Sequence, residues 1–231
     1  PPPVIAGSHD PLLEWAVRES GCGLALMFDG SLDGLARLGA GQALAAGMHV
    51  PDGSGGWNLH EVTGIALPAP VVVIEWAWRE QGLVTAQGNP KGIRGIADLA
   101  RPGVRVIGRQ RGAGSRALLE ALLAAEGLDA TALTMVDPPA RSESDVALAV
   151  LSGKADAGLG IRSTVTALNL DFLPLARERY DLVVGRRDWF EPALQALARF
   201  TTTPAFAARA ADLGGYDIDG RGAVRWNSPA P

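Results

Sequence analysis

Short apolar runs alternate with amphipathic stretches along most of the chain. Runs such as residues 3–7 (PVIAG), 22–28 (CGLALMF) and 104–107 (VRVI) are typical of buried strands, and stretches with leucine or alanine every three or four residues follow them. The run at residues 70–86 is longer than one small sheet needs, a length that would let it cross between two lobes. The alternation predicts an α/β fold with mainly parallel sheets and ligand sites beyond the carboxyl ends of the strands.

The last third of the chain predicts two strands, at residues 172–175 and 180–185, and the second is a candidate return crossing. Amphipathic helices are predicted at residues 191–200 and 204–213. The tail from residue 214 onward is polar and glycine-rich, and it is predicted to be loose.

The most informative turn lies within residues 104–126, VRVIGRQRGAGSRALLEALLAAE. A strand runs into a basic, glycine-rich loop, and Ser115 is then predicted to cap a helix. The first N–H groups of a helix have no partner within it and carry partial positive charge. An anion at this end therefore meets both hydrogen-bond donors and the favourable electric field of the helix dipole. Arg109, Arg111 and Arg116 can add charge-assisted hydrogen bonds. The turn predicts an anion site, unless Ser115 only caps the helix and the arginines are only solvated.

Three further strand-to-helix turns carry small hydroxyl or basic side chains. They contribute Ser8, Ser31 and Arg162, in residues 7–10, 29–31 and 161–163. In two lobes that face each other, such turns point hydroxyl and N–H groups into one cleft. A tetrahedral oxyanion fits that donor set.

Composition narrows the function classes. A formal net charge of −4 at pH 7 argues against a general nucleic-acid surface or an anionic-membrane surface. The single Cys22 cannot form an internal disulfide and is expected to pack in a core. The most apolar run, residues 71–78, is short and interrupted by Glu75, so no membrane span is predicted. His49 has no second ligand at metal-binding spacing, and we therefore predict no metal site and no cofactor.

The main rival is a dinucleotide-dependent enzyme. Residues 112–117 (GAGSRA) satisfy G-x-G-x-x-A after a strand, and Asp137 follows at the end of the next strand. Against this interpretation, the turn is rich in arginine and no paired Lys, Tyr or His lies near it for acid–base chemistry. No G-x-S-x-G elbow, complete Walker loop or H-E-x-x-H motif is present. We predict a binding protein and not an enzyme.

Six motifs spread over the whole chain carry a family resemblance. They are GSHD at Gly7, DGSLDGLARL at Asp29, REQGLVTAQGNPKGI at Arg79, GRQRGAGSRALLE at Gly108, SGKADAGLGIR at Ser152 and ERYDLVV at Glu178. Together they resemble the periplasmic-binding-protein-like (type II) domain of molybdate- or tungstate-responsive regulators and molybdopterin biosynthesis proteins, a relative of the molybdate-binding proteins of transporters. The resemblance implies two lobes around a ligand cleft. Lobe 1 would comprise residues 1–78 and 182–231, and lobe 2 residues 79–181.

The resemblance also implies how molybdate or tungstate would be held. The residues that match the family's ligand contacts are Ser8, Ser31, Ala113, Gly114, Ser115, a backbone donor near Ile161, and Tyr180. Arg109, Arg116 and Arg162 are added as candidate ligand contacts. These arginines depart from the transporter proteins, which tend to use neutral donors, whereas the tungstate-type binders do use arginine.

A role in sensing or delivery within molybdenum cofactor metabolism follows from the same resemblance. It implies a fused or partner DNA-binding or molybdopterin-synthesis domain, with no direct nucleic-acid contact by this chain. The chain opens on three prolines and is expected to be part of a longer protein. We expect a cytoplasmic location, or a periplasmic one if a signal peptide was removed. An organic anionic ligand such as a pterin phosphate stays open as an alternative, because the same turns would hold a phosphate or carboxylate.

Overall fold

The computed structural model describes residues 1–229 and has a mixed α/β architecture around one ten-stranded sheet. The strands are β1 (Val4–Gly7), β2 (Ala25–Phe28), β3 (Ala45–Met48), β4 (Val71–Thr85), β5 (Arg105–Arg109), β6 (Thr134–Ala140), β7 (Ala157–Ile161), β8 (Asp171–Gly185), β9 (Tyr216–Asp217) and β10 (Val224–Asn227). The α-helices are α1 (Pro11–Ser20), α2 (Ser31–Gly39), α3 (Leu59–Gly64), α4 (Gly114–Ala125), α5 (Glu143–Leu151), α6 (Pro192–Phe200) and α7 (Pro204–Leu213). The predicted α/β fold is confirmed.

The sheet has the order β2-β1-β3-β8-β4-β7-β5-β6. At its two ends the pairing is parallel, between β1 and both β2 and β3, and between β5 and both β6 and β7. The two long central strands, β4 and β8, run antiparallel to each other. They join the outer parts through antiparallel pairs, β8 with β3 and β4 with β7. The sheet is thus two parallel units linked by one long antiparallel ribbon.

This central ribbon connects two separate hydrophobic cores. We call the β1–β3 side, with α1, α2, α3, α6 and α7, lobe 1, and the β5–β7 side, with α4 and α5, lobe 2. Buried side chains such as Ile5, Leu13 and Phe206 fill lobe 1, and Val106, Leu119 and others fill lobe 2. Each lobe therefore buries apolar surface of its own, and β4 and β8 contribute side chains to both.

The long strand predicted at residues 70–86 is present as β4, which pairs with β8 along its whole length and with β7 over its last five residues. The two late strands predicted at residues 172–175 and 180–185 are one strand, β8, since β4 offers a continuous partner along its whole length. The predicted lobe boundaries at residues 78/79 and 181/182 fall inside these two strands.

Two β-bulges interrupt the central ribbon, one between Glu75 and Ala77 and one between Gln81 and Gly82. A bulge inserts an extra residue and changes which face the following side chains occupy. The segment of β4 between the bulges carries Arg79 and Gln81, and both side chains are buried. At the second bulge a Cβ on Gly82 would lie 2.2 Å from the Leu173 carbonyl oxygen, so only glycine fits there.

The C-terminal tail differs from its prediction. Residues 216–227 are not loose, because β9 and β10 both pair with β4. The tail is also tied down by side chains, since Tyr216 donates to Asp10 over 2.7 Å and Arg225 pairs with the buried Glu75. Cys22 is buried in the lobe 1 core, as predicted. Within residues 1–229, no helix is both long and apolar enough to cross a membrane.

Candidate functional site

Three strand-to-helix turns meet around the imidazole of His49, where the two lobes face each other. The Ser8 hydroxyl lies 2.7 Å from His49 Nε2, and the backbone N–H of His49 donates to Ser31 Oγ over 3.4 Å. From lobe 2, the first residue of α4 approaches so closely that a Cβ on Gly114 would lie 2.8 Å from His49 Cε1. The structure thus brings together Ser8, Ser31 and Gly114, three of the predicted ligand contacts.

Ser115 and Tyr180 join the same buried cluster. The Ser115 hydroxyl donates to Glu143 Oε1 over 2.6 Å and accepts from Gln81 Nε2 over 3.3 Å. The Tyr180 hydroxyl donates to the Ser8 carbonyl over 2.5 Å, and its ring stacks on His49 with 5.9 Å between centroids. Burial, more than any other effect, raises the pKa of Tyr180 well above its ordinary value, so this hydroxyl stays a donor.

A buried ion-pair network links these hydroxyls to the central ribbon. Arg79 donates through Nε to Glu178 Oε1 over 2.9 Å and through Nη1 to Asp10 Oδ2 over 3.0 Å. Burial disfavours the charge of Arg79, but Glu178 and Asp10 outweigh this and raise its pKa. Burial likewise opposes ionisation of Glu178, but Arg79 and His49 lower the pKa of Glu178 to about 2. Arg79 and Glu178 are therefore both ionised.

The ionised Glu178 fixes the orientation of two neighbours. A carboxylate only accepts hydrogen bonds, so the His49 Nδ1–H donates to Glu178 Oε2 over 2.8 Å. The other ring nitrogen, His49 Nε2, lies within hydrogen-bond distance of the Ser8 hydroxyl. By the same reasoning Gln81 places its Nε2 toward Glu178 Oε1, at 3.0 Å, which leaves its Oε1 on the other side of the amide.

In lobe 2, the predicted anion site at the start of α4 already holds a carboxylate from α5. Glu143 is fully buried, accepts from Ser115 and pairs with the Arg109 guanidinium. Burial works against its ionisation, but Arg109 and then Arg79 lower the pKa of Glu143. The prediction that Ser115 caps α4 is wrong, because the N-cap is Ala113 and Ser115 lies in the first turn. Its hydroxyl is therefore free to join the network.

Two buried acceptors in this cluster have no hydrogen-bond partner among the residues that the structure describes. They are Gln81 Oε1 and Glu143 Oε2. An unsatisfied buried polar atom is costly, and a native structure that keeps one usually has a reason such as a ligand contact. These two oxygens are therefore candidate ligand contacts that the sequence analysis did not include.

The lobes are closed on each other in this structure. Gln110 Nε2 donates to the Asp29 carbonyl over 2.6 Å, and the Leu32 N–H donates to the Gly112 carbonyl over 3.2 Å. The two bonds join the basic turn of lobe 2 to the turn before α2 and to the first turn of α2 in lobe 1. The glycine-rich turn thus contacts the opposite lobe directly.

Of the remaining predicted contacts, Arg109 pairs with Glu143 in this cluster, and the others lie around it. Arg116 pairs with Glu120 on the exposed face of α4, and Arg162 pairs with the half-buried Glu80. Ile161 is buried at the end of β7, opposite Gln81. The guanidinium of Arg109 is committed to Glu143. Arg116 and Arg162 are therefore paired at the surface, because each has an acidic partner nearby on its own side of the sheet or helix.

The sequence analysis missed the charged part of the site. Asp10, Arg79, Gln81, Glu143 and Glu178 were not singled out as functional. No local signal marked Arg79 and Glu178, because each has charged neighbours in the sequence, Glu80 in β4 and Arg177 and Arg179 in β8. Within residues 1–229, no group of three or more His, Cys, Asp or Glu side chains is placed to hold a metal ion.

Comparison with known proteins assigns the family. Residues 13–202 match the model of the PBP superfamily domain, the periplasmic-binding-protein-like family. The chain belongs to this superfamily. It is 31% identical over 198 residues to the uncharacterized protein YvgK of Bacillus subtilis (strain 168), an alignment that covers 85% of this chain and 64% of YvgK. A shorter match, 34% identical over 80 residues, covers 34% of this chain and 71% of an uncharacterized protein encoded in the ferredoxin 2Fe-2S gene 5′ region of Clostridium pasteurianum.

Solved structures share the fold at low sequence identity. The sulfate-binding protein SubI from Mycobacterium tuberculosis H37Rv has a TM-score of 0.64 at 19% identity, covering 94% of this chain and 86% of SubI. A putative phosphate ABC transporter substrate-binding protein with bound phosphate, from Clostridium perfringens, has a TM-score of 0.67 at 14% identity and coverages of 93% and 98%. These likenesses show that the PBP-like domain shares its fold with substrate-binding proteins.

Proposed function

We propose that this PBP-like domain captures a small oxyanion between its two lobes. The observation that carries the proposal is the convergence of Ser8 and Ser31 from lobe 1 with Ser115 and the start of α4 from lobe 2 around His49. Hydroxyl and backbone donors of this kind suit an anion. The fold is shared with a sulfate-binding and a phosphate-binding protein, which supports the same ligand class here.

Binding would exchange contacts within the cluster for contacts to the ligand. When the lobes separate, Ser8, Ser31 and His49 leave with lobe 1, whereas Ser115 stays with Glu143 in lobe 2. An oxyanion that accepts from both sets of donors stabilises the closed arrangement, because it binds that arrangement better than the open one. Closure is then the event that a partner or an attached domain can detect.

The identity of the ion and its use remain expectations from the sequence resemblance. Molybdate and tungstate are the oxyanions that the resemblance indicates, in sensing or delivery for molybdenum cofactor metabolism. A fused or partner DNA-binding or molybdopterin-synthesis domain would respond to closure. The chain spans less than two thirds of YvgK, so the activity and partners of a whole protein of that length are likewise proposals. The cytoplasmic location also stays a prediction, with the periplasm as the alternative.

The glycine-rich turn supports the proposal that this domain binds a ligand without catalysing a reaction. In the closed arrangement the Gly112 carbonyl accepts from Leu32 of lobe 1, and Gly114 lies against His49. A dinucleotide pyrophosphate needs the N–H groups of such a turn to be open to it. Here the opposite lobe covers the turn, which favours a small ion over a dinucleotide. The resemblance of the fold to substrate-binding proteins agrees with this.

An organic anionic ligand is a second candidate, and one observation favours it. Gln81 Oε1 and Glu143 Oε2 are acceptors without partners, and an anion that has no hydrogen-bond donor cannot satisfy them. A ligand such as a pterin phosphate carries N–H groups beside its phosphate and could serve both kinds of contact.

Isothermal titration calorimetry of the purified chain with molybdate, tungstate, sulfate and phosphate tests the proposal. We expect saturable binding of at least one ion, weakened about tenfold or more in Ser8→Ala and Ser31→Ala. Ser54→Ala is the matched control, because Ser54 is an exposed loop serine that bonds only to Asp52. Absence of binding for all four ions, or equal affinities in all variants, would refute the proposal, and thermal unfolding confirms that each variant is folded.

A further inference from the structure

We infer that lobe 1 holds a second ligand site, a partly enclosed cavity beside α6 that accepts a small aromatic carboxylate. The cavity lies apart from the cluster around His49, and none of that cluster's residues lines it. The inference therefore goes beyond the proposed function and does not depend on it.

The first step is the size and position of the cavity. Its volume is about 350 Å³, and its wall is formed by the central ribbon, by α6 and by residues of the segment between β9 and β10. Protein interiors are closely packed, and voids much larger than a water molecule are few. An apolar cavity of about 150 Å³ already admits benzene, and pockets for small molecules begin at about 300 Å³. This cavity is therefore large enough for a compound of one or two rings.

The second step is the apolar surface of the cavity. Six lining side chains are apolar, and two of these are indoles: Ile74, Trp76, Leu182, Trp189, Leu194 and Leu197. Trp76 is held in place, because its indole N–H donates to Asp10 Oδ1 over 3.1 Å and its ring packs edge-on against Phe206. A side chain fixed in this way does not turn inward to fill the space. The cavity is therefore preformed, and its indole and aliphatic surface suits a flat apolar ring.

The third step is the guanidinium group of Arg221, which also lines the cavity. Its Nε donates to the Thr201 carbonyl over 2.7 Å and its Nη1 to the Ile218 carbonyl over 2.8 Å, so two backbone acceptors orient it. A guanidinium has five N–H donors, and donors therefore remain after these two bonds. None of the ion pairs within residues 1–229 includes Arg221. A ligand carboxylate is the planar acceptor that such a fork of donors prefers.

The fourth step is the choice between an acid and an amine as ligand. Two carboxylates also line the cavity, Glu75 and Asp219. Glu75 is paired with Arg225, and Asp219 is exposed, where water and salt screen its charge. Arg221 is half-buried and outside those ion pairs, so its charge is less screened. An acid is therefore preferred over an amine that carries the same ring.

The test is calorimetry of the whole chain with phenylacetate and indole-3-acetate, and with phenethylamine and tryptamine as amines with the same rings. We expect both acids to bind saturably, and the amines to bind at least about tenfold more weakly. Arg221→Gln should weaken binding of the acids about tenfold or more, because it removes the cation of a charge-assisted pair. Arg199→Gln is its matched control, since Arg199 is exposed on α6 and does not line the cavity.

A second variant fills the cavity. Ala198 is half-buried and lines it, so Ala198→Phe places a ring in the space of the ligand and should abolish binding of both acids. Ala211→Phe is the matched control, because Ala211 is exposed on α7 and lies outside the cavity wall. In ¹H–¹⁵N NMR spectra, the acids should shift the indole N–H signals of Trp76 and Trp189.

The outcomes separate this inference from the proposed function. Binding of neither acid would overturn the inference and would leave the oxyanion proposal standing. Amines that bind as tightly as the acids would overturn the ligand class and the role of Arg221. An acid that still binds the folded Ala198→Phe variant, with shifts at the amides of Ser8 and His49, would place it between the lobes and overturn the second site. If Arg221→Gln does not fold, the Ala198→Phe variant and the comparison of acids with amines still decide.

Discussion

Replacing Gly114 with alanine tests how the lobes close. The added Cβ would lie 2.8 Å from Cε1, Nδ1 and the carbonyl oxygen of His49, whereas carbon atoms in ordinary contact lie about 3.5 to 4.0 Å apart. Gly114 is the first residue of α4 and has no left-handed backbone conformation, so alanine fits the helix itself. The clash is therefore with lobe 1, and separation of the lobes relieves it.

The cost to the closed arrangement follows from the size of the clash. One extra methyl group in a well-packed contact typically costs about 1 to 3 kcal/mol. That free energy corresponds to roughly 5- to 150-fold in the closed-to-open ratio. Because the proposed ligand needs both lobes, its affinity should fall by up to the same factor in Gly114→Ala.

Hydrogen exchange detects the change without any ligand. The Leu32 amide donates to the Gly112 carbonyl across the lobes, and the peptide that contains it should exchange faster in Gly114→Ala. Gly64→Ala is the control, because a Cβ at Gly64, the last residue of α3, meets nothing within 4 Å. If the Leu32 amide exchanges at the same rate in Gly114→Ala as in the wild type, the contact between α4 and lobe 1 does not limit how closely the lobes approach each other.

Three further predictions concern the buried network. Glu178 has a pKa of about 2 in the folded chain, below its ordinary 4.5, so its stabilisation of about 3 kcal/mol is present above pH 4.5 and is lost as the pH falls toward 2. Urea unfolding across that range should show this loss, and less of it in Glu178→Gln. Arg109→Ala leaves a buried carboxylate without its cation and should lower the free energy of unfolding by about 3 to 5 kcal/mol, whereas Arg116→Ala, at an exposed pair, should lower it by less than about 1 kcal/mol. Tyr180→Phe removes the donor to a buried carbonyl and should cost about 1 to 3 kcal/mol in thermal unfolding.

Each of these predictions has a result that contradicts it. Identical pH profiles for the wild type and Glu178→Gln would mean that this carboxylate is not held ionised by its neighbours. Equal losses of stability for the Arg109 and Arg116 variants would contradict the difference in burial between the two ion pairs. An unchanged unfolding temperature for Tyr180→Phe would mean that the Ser8 carbonyl finds another donor.

The fold could be predicted wherever an element carries its own pattern. The strand-to-helix alternation and the long run at residues 70–86 are of this kind, since periodicity and length are properties of the segment itself. The tail could not be predicted, because β9 and β10 are short and exist through pairing with β4. The continuity of β8 was likewise hidden, since Pro174 and a charged stretch interrupt its pattern while its partner strand continues.

The candidate site shows the same division. Ser8, Ser31 and Ser115 could be selected because each lies in a turn whose local chemistry indicates an anion. Arg79 and Glu178 could not, because a charged residue within a strand is usually solvent-facing, and only a pairing between positions 99 residues apart makes these two partners. Glu143, the carboxylate at the start of α4, could not be predicted either, because it belongs to α5, a helix whose sequence carries no binding motif.

The measurement that tests the central claim most directly is a ¹H–¹⁵N NMR titration of the chain with phosphate, sulfate, molybdate and tungstate. We expect at least one ion to give saturable shifts that are largest at the amides of Ser8, Ser31, His49, Gly114 and Ser115, from both lobes at once. Shifts confined to one lobe or to the exposed face of α4 around Arg116, or no shifts with any ion, would contradict oxyanion capture between the lobes.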